Sequence, residues 1–456
     1  MKITLINPPS IKDKYEHGQL CLPKIGIAYI SAFLEKNGID CSIIDAKFER
    51  ISHEELSRRL KEEKPDLAGI SAMTSEIKSG ARVAGEVKKI LPGCKTVVGG
   101  AHAISIPYET MLEFSEFDFL VSGEGEETML DLVQTLRENR SLDTVQGLLF
   151  RQNGDIKTNT QREWIEDLDS LPFPAWHKYP EMPSTNHLIS SRGCPFSCSF
   201  CKTILGKKIR NRSPENVVDE IEWLADKHNL KEMIFIDETF TLNLDRTNRL
   251  LDLLIERGLD RKVKWVAQTR VDRVDKDIFY KLKKAGCFKI EFGVESGNQK
   301  ILGSIKKKIK LDQVVEAVRL SKKAGLKVGC SFILGHPHET RETVQDTIDF
   351  AVKLNPDIAS FGIMVPLPGT EIYDMAVKGE GDYIFTIEDW DKYIKFGGGG
   401  LELRNLSRKE LEKLQVKGIL SFYLKNFRFI DFISYGLEHR KQAMAVARKL
   451  LKFKKS

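Results

Sequence analysis

Cys194-Pro195-Phe196-Ser197-Cys198-Ser199-Phe200-Cys201 gathers three of the chain's 8 cysteines into one short run. Three thiolates wrapped this tightly can hold three irons of a 4Fe–4S cluster and leave the fourth iron without a protein ligand, open to substrate or cofactor. A structural zinc would want a fourth ligand, and none appears within the run. The run follows an apolar stretch, His187 to Ser191, and contains Pro195, so it forms a loop at the carboxyl end of a strand. Cys21, Cys41, Cys94, Cys287 and Cys330 are scattered and read as small buried hydrophobes.

The elements that must position this loop form a βα series. Strand patterns recur at His187 to Ser191, Met233 to Asp237, Val263 to Gln268, Lys289 to Val294, Val328 to Leu334 and Ile358 to Val365. Between them, helices are signalled by Ser213-Pro214-Glu215, by Asp275 to Ala285 stopping at Gly286, by Asp312 to Ala324 stopping at Gly325, and by Thr340 to Leu354. Six such units suit an open barrel, with the active face at the strand carboxyl ends.

Upstream, residues 1–140 alternate short apolar strands (Ile3 to Ile6, Cys41 to Ile44, Leu67 to Ser71, Thr96 to Val98, Phe117 to Val121) with helices, one opened by the capping box Ser52-x-x-Glu55. That pattern predicts a Rossmann-like or flavodoxin-like parallel sheet with helices on both faces, binding its ligand at the strand carboxyl ends. Glycines at 99, 100, 123 and 125 lie at those ends. Residues 141–186 read as a connector, with a strand pair and then an extended stretch in which Pro172 and Pro174 block a helix. The barrel is expected over 187–375. A mostly helical region over 376–456 follows, with the run Gly397 to Gly400, a capping box Ser407-x-x-Glu410 and an aromatic stretch from Phe422 to Tyr435. It reads as a cap over the barrel or a partner surface, with peripheral membrane contact as a further reading.

Composition narrows the partners. With 41% hydrophobic and 30% charged residues the chain is globular, and no apolar run approaches the roughly 20 residues needed to span a bilayer. MKITLINPPS lacks a signal-peptide core, so a cytoplasmic location is expected. A net charge of +6, its excess concentrated near the C-terminus, is only weak evidence for nucleic acid, and no nucleic-acid partner is expected.

In this context the cysteine run resembles the radical S-adenosylmethionine (SAM) signature. The resemblance implies that the methionyl amine and carboxylate of SAM chelate the open iron at Cys194, Cys198 and Cys201, and that an electron from the cluster cleaves SAM to a 5′-deoxyadenosyl radical. Phe200 matches the aromatic position against the adenine. Further implied SAM contacts are Glu238 in Asp237-Glu238-Thr239, which lacks the family's glycines, then Gln268, Arg270, Glu295, Ser296 and Gly335. The N-terminal part is similar to the cobalamin-binding domain preceding this barrel in one large class of the family. Its matching pieces are Asn7-Pro8-Pro9, Ser71-Ala72-Met73, Gly99-Gly100-Ala101-His102 and Gly123-Glu124-Gly125-Glu126. The Asp-x-His-x-x-Gly motif that supplies a cobalt ligand in many such domains is missing, so His102 reads as a pocket residue near the backbone.

The expected activity is a cobalamin-dependent radical SAM methyltransferase, acting at an unactivated carbon of a small-molecule, lipid or natural-product substrate through the deoxyadenosyl radical and methylcobalamin. Flavodoxin or ferredoxin would supply electrons, and no catalytic side chain is assigned beyond the cluster ligands. Rivals are a cobalamin-dependent cyclase or rearrangement enzyme of the chlorophyll-ring type, a tRNA methylthiotransferase, and a non-catalytic cluster or cobalamin sensor.

Overall fold

The computed structural model describes residues 1–9, 21–385, 389–394 and 401–438. Two compact units are present: of these residues, 1–9, 22–195 and 202–230 form the first, and 21, 196–201 and 231 onward the second.

The first unit is built on a 7-stranded sheet: β1 (Ile3–Asn7), β2 (Ser42–Asp45), β3 (Leu67–Ser71), β4 (Lys95–Gly99), β5 (Phe119–Val121), β6 (Leu148–Gln152) and β7 (Asp155–Thr158), in the order β2-β1-β3-β4-β5-β6-β7. The first five are parallel, with Ile3 opposite Leu67 and Val97 opposite Phe119, and β6 and β7 add antiparallel. Ile3, Leu67 and Val98 are wholly buried, as continuous apolar strands covered on both faces must be. Helices Ile25–Lys36 and Gly125–Arg137 pack together as one pair, and His53–Glu63 and Ile77–Ile90 as another. The expected capping box at 52–55 forms its N-cap bond, Ser52 accepting the Glu55 amide at 3.3 Å. The crossovers bring Asn7, Ser71, Gly99 and Val121 to the same, carboxyl edge of the sheet.

Three short strands follow within this unit: β8 (Thr185–Leu188), β9 (Ser191–Arg192) and β10 (Arg210–Asn211), the last two paired antiparallel across the cysteine loop. The single strand expected at His187 to Ser191 is therefore split, and its end turns into a small hairpin at the base of the loop. The strand pair expected in the connector is β6 and β7 of the first sheet, and between β7 and β8 the chain carries only short turns at Leu168–Ser170 and Trp176–Lys178, in keeping with its prolines.

The second unit holds β11 (Glu232–Phe235), β12 (Lys264–Thr269), β13 (Cys287–Glu295), β14 (Lys327–Leu334) and β15 (Ile358–Ile363), all parallel and paired in sequence. Among the described residues no pairing closes the series into a full barrel. Phe235, Phe240 and Trp265 cluster with ring centroids 4.6 to 5.4 Å apart, and Phe332 stacks on Phe361 at 5.4 Å. Helices start where the sequence signals them: Asp275 caps Lys276–Lys284 by accepting the amides of Asp277 and Ile278, and Thr340 caps Arg341–Leu354. Beyond lie β16 (Tyr383–Phe385), β17 (Leu401–Leu403) and the helices Arg408–Lys425 and Phe429–Glu438. The Ser407–Glu410 capping box is formed. Helix Arg408–Lys425 lies along β15, where Gln415 donates to the Phe361 carbonyl at 2.7 Å. The four-glycine run and the chain after residue 438 lie outside the described residues.

Candidate functional site

The cysteine loop begins at a glycine that no other residue could replace. Gly193 has φ +97°, and a Cβ there would stand 2.2 Å from the Lys208 carbonyl oxygen. Cys194 then donates its amide to Gly206 at 3.1 Å. Further along, the Ser199 amide donates to the Ile305 carbonyl and its own carbonyl accepts the Ile372 amide, each at 3.1 Å, so the loop is pinned through its backbone. Cys194 and Cys198 are partly exposed and Cys201 is exposed. By contrast Cys41, Cys94, Cys287 and Cys330 are buried, and burial raises their thiols, Cys94 to about 11 and Cys287 to about 12. Outside the loop Cys21 is partly exposed, not buried as expected, while the other four thiols are shut away; the three accessible thiols gathered in one loop are a donor set suited to an iron–sulfur cluster. Among the described residues no three His, Cys, Asp or Glu side chains are already arranged around one point.

At the carboxyl ends of β11 to β14 the second unit concentrates buried charge. Glu295, the last residue of β13, is 7% exposed with φ +72°, a strained backbone for a residue with a Cβ. Its carboxylate meets Lys307 Nζ at 2.9 Å, and Lys307 lies 5.9 Å from the Phe200 ring centroid. Arg270 stacks 3.7 Å over Phe196, pairs with Asp272 at 2.9 and 3.0 Å, and donates to the Lys307 carbonyl at 2.9 Å. His336 is wholly buried 6.2 Å from Phe200. One ring nitrogen bonds the Glu295 carbonyl at 3.3 Å, while Nδ1 has no protein partner. Burial pushes this imidazole down to about 4, so it is neutral and presents a lone pair. Gly335 and His336 donate their amides to buried Glu339, whose carboxyl burial lifts to about 8, and the Gly335 carbonyl accepts Tyr383 Oη at 3.0 Å.

Phe200, Arg270, Glu295 and Gly335 are thus tied into one neighbourhood by Lys307 and His336. Gln268 is exposed at the end of β12 and donates to the Asp237 carbonyl at 3.1 Å, next to the partly exposed Glu238. Ser296 differs: it is wholly buried, and its hydroxyl is engaged with Thr347 at 3.1 Å and with the Asn298 amide. It holds a turn.

The first unit presents a different surface. Ser71, Gly99 and Gly123 end or follow the adjacent strands β3, β4 and β5, and Met73 beside them is 46% exposed. Gly100, at φ +95°, lets β4 approach β3 so closely that a Cβ would sit 2.7 Å from the Ala72 carbonyl oxygen, whereas a Cβ on Gly99 would meet nothing nearer than Val121 at 4.0 Å. This open row of small residues fits a broad ligand laid across the strand ends. His102 is wholly buried beneath it and held neutral by burial, its imidazole pushed down to about 4. Pro8 is buried, and Asn7 donates to Asp45 at 2.6 Å. Glu124 is the exception among the residues expected here. Its carboxylate is 3% exposed and taken by Arg192 at 2.6 Å, Arg210 at 2.7 Å and the Ile165 amide at 2.8 Å, while neighbouring Glu126 takes Arg192 at 2.7 Å. Two arginines from the base of the cysteine loop consume the carboxylate that Gly123 and Gly125 flank.

Comparison with known proteins matches residues 188–351 to the radical SAM superfamily and residues 16–133 to the B12 binding domain. An uncharacterized methyltransferase of Pyrococcus horikoshii is 34% identical over 433 residues, 93% of each chain. The chain belongs to the B12-binding radical SAM family. This radical SAM enzyme is also 31% identical to the anaerobic magnesium-protoporphyrin IX monomethyl ester cyclase of Cereibacter sphaeroides, over 89% of this chain and 68% of that one. Its fold matches the radical SAM methyltransferase TsrM of Kitasatospora setae, solved with cobalamin and a 4Fe–4S cluster, at TM-score 0.74 and 16% identity, covering 93% of this chain and 88% of that one. Membership carries the family's cofactors: the cluster, SAM and cobalamin.

Proposed function

We propose that this enzyme methylates an unactivated carbon of a small molecule, using cobalamin as the methyl carrier. The observation that carries the reading is the pairing, in one chain, of an open strand-end row suited to a corrin with a loop of three accessible thiols. When bound, the cofactors supply the radical and the methyl group; the protein's residues position and enclose. Arg270 stacks on Phe196 and holds the loop in place. Lys307 pairs with the buried Glu295 at 2.9 Å and fixes its carboxylate group for the hydroxyls or the ammonium of SAM. Neutral His336, with Nδ1 unpaired, can accept a hydrogen bond from an adenine amino group. We assign residues 1–140 to cobalamin, 187–375 to SAM and the cluster, 141–186 to their connection, and 376–456 to a cap. The setting is the cytoplasm, where thiolate ligands stay reduced, with flavodoxin or ferredoxin as electron donor.

The 31% identity to a cyclase favours a second reading, ring closure without methyl transfer. The deciding experiment is anaerobic reconstitution with iron, sulfide and hydroxocobalamin, reduction with dithionite, and addition of SAM carrying a CD3 group. The CD3 label on the corrinoid together with 5′-deoxyadenosine supports methylation; deoxyadenosine with an unlabelled corrinoid supports cyclisation.

A further inference from the structure

The turn that leaves β14, Gly335-His336-Pro337-His338-Glu339, is not a shape the chain adopts freely. Gly335 has φ +93° and His338 φ +61°, and the second is a left-handed backbone that a residue with a Cβ takes only at a cost. Partners must hold it. From within the turn Glu339, 2% exposed, folds back and accepts the Gly335 and His336 amides, the latter at 3.1 Å. The remaining fastenings come from residues 44 and 48 positions further along the chain.

Gly381-Asp382-Tyr383 leads into β16 and meets the turn at three points. The Gly381 carbonyl accepts the His338 amide at 3.1 Å, Asp382 Oδ2 lies 3.0 Å from His338 Nδ1, and Tyr383 Oη donates to the Gly335 carbonyl at 3.0 Å. The two backbones run close: a Cβ on Gly381, at φ +63°, would stand 3.1 Å from Pro337 Cβ. Asp382 is left-handed as well, at φ +65°. Two strained segments thus hold each other. The clasp is itself anchored from behind, because Tyr383 stands opposite Leu403 in the β16–β17 pairing and the Arg404 amide donates to the Asp382 carbonyl at 2.7 Å. Tyr383 is only 1% exposed, and a phenylalanine ring would fill the same space. What the hydroxyl adds is the bond to Gly335.

We infer that Tyr383 is a positioning residue for SAM: through the Gly335 carbonyl it holds the Gly335–Glu339 turn in the conformation that receives the adenine, so β16 serves the SAM site as well as the cap. The inference rests on the reading of that turn as the adenine seat. A strained turn with one fastening fewer spreads over other conformations, and affinity falls with the fraction that stays competent. Chelation of iron by the methionyl end of SAM belongs to the cysteine loop and does not pass through this bond.

The test sets SAM against L-methionine, which offers iron the same amine and carboxylate without an adenine, on the full-length enzyme reconstituted with iron, sulfide and hydroxocobalamin. Binding is read from the change each ligand makes in the electron paramagnetic resonance spectrum of the reduced cluster, so no turnover is needed. Tyr383→Phe is expected to weaken SAM on the order of three- to tenfold, the worth of one hydrogen bond, and to leave methionine unchanged. His338→Ala removes the contact with Asp382 from a side chain that is 63% exposed, where folding is not at stake, and weakens SAM less. Wild-type SAM binding by Tyr383→Phe overturns the inference, and so does an equal loss for SAM and methionine, which marks a general loosening. Photolabelling with 8-azido-SAM, mapped by mass spectrometry, separates the two layers of the reading. Label within residues 335–339 together with undiminished binding by Tyr383→Phe removes the role of Tyr383 alone, whereas label elsewhere removes the adenine seat and the inference with it.

Discussion

The strand-end edges of the two units are built in opposite ways. In the first unit β3 and β4 finish in the small, uncharged Ser71 and Gly99, and what is built is space beside Gly99, where a Cβ would meet nothing nearer than Val121 at 4.0 Å. At the strand ends of the second unit Arg270, Glu295, Lys307 and His336 are all buried and tied together by hydrogen bonds, and what is built is a field. A large, prefabricated cofactor asks chiefly for room. A small, charged one that must be cleaved at a chosen bond asks for fixed partners.

Predictions follow that contrast. The largest effect belongs to the loop: Cys198→Ala abolishes 5′-deoxyadenosine formation, measured by mass spectrometry, while corrinoid binding followed by absorbance persists. Loss of both would show that the two edges are not separable. Next, Lys307→Met leaves Glu295 as an unpaired buried charge and destabilises the fold by about 3–5 kcal/mol in thermal or denaturant unfolding. Adding Glu295→Gln restores part of that loss, and an unchanged single variant would remove the buried field from the comparison. A smaller, pH-dependent effect comes from Glu339. Its carboxyl sits at about 8 in the folded chain against an ordinary 4.5, so the folded state holds a proton that the unfolded state releases. That contribution is complete below about pH 4.5 and is lost as pH rises to about 8. Glu339→Gln should therefore flatten the alkaline side of a stability-versus-pH curve. The smallest stability change is expected in the open row, where Gly99→Ala alters unfolding by less than about 0.5 kcal/mol. Titration with hydroxocobalamin should nonetheless show weakened uptake, and unchanged uptake would mean that the corrin does not lie there.

What the sequence made legible was local. The cysteine run, the strand-end glycines and the capping boxes at 52–55 and 407–410 each declare themselves within eight residues. Partnerships across long separations were hidden. Lys307 sits within Lys306-Lys307-Lys308, which reads as a solvated run, yet the fold buries the middle residue at 7% exposure because its amine is needed by Glu295. Glu124 reads as a ligand contact between two glycines, and the residues that claim it lie 68 and 86 positions away. Ser296 looks like a cofactor contact by position; only the helix that supplies Thr347 reveals that its hydroxyl is already engaged.

The arginines on Glu124 flank the cysteine loop, Arg192 before it and Arg210 after it, and the two stand opposite each other in the β9–β10 pairing. The loop's ends are therefore brought together by folding, and the entropy of closing it is incurred before any iron arrives. Cluster assembly then has only the interior of a stapled loop to order.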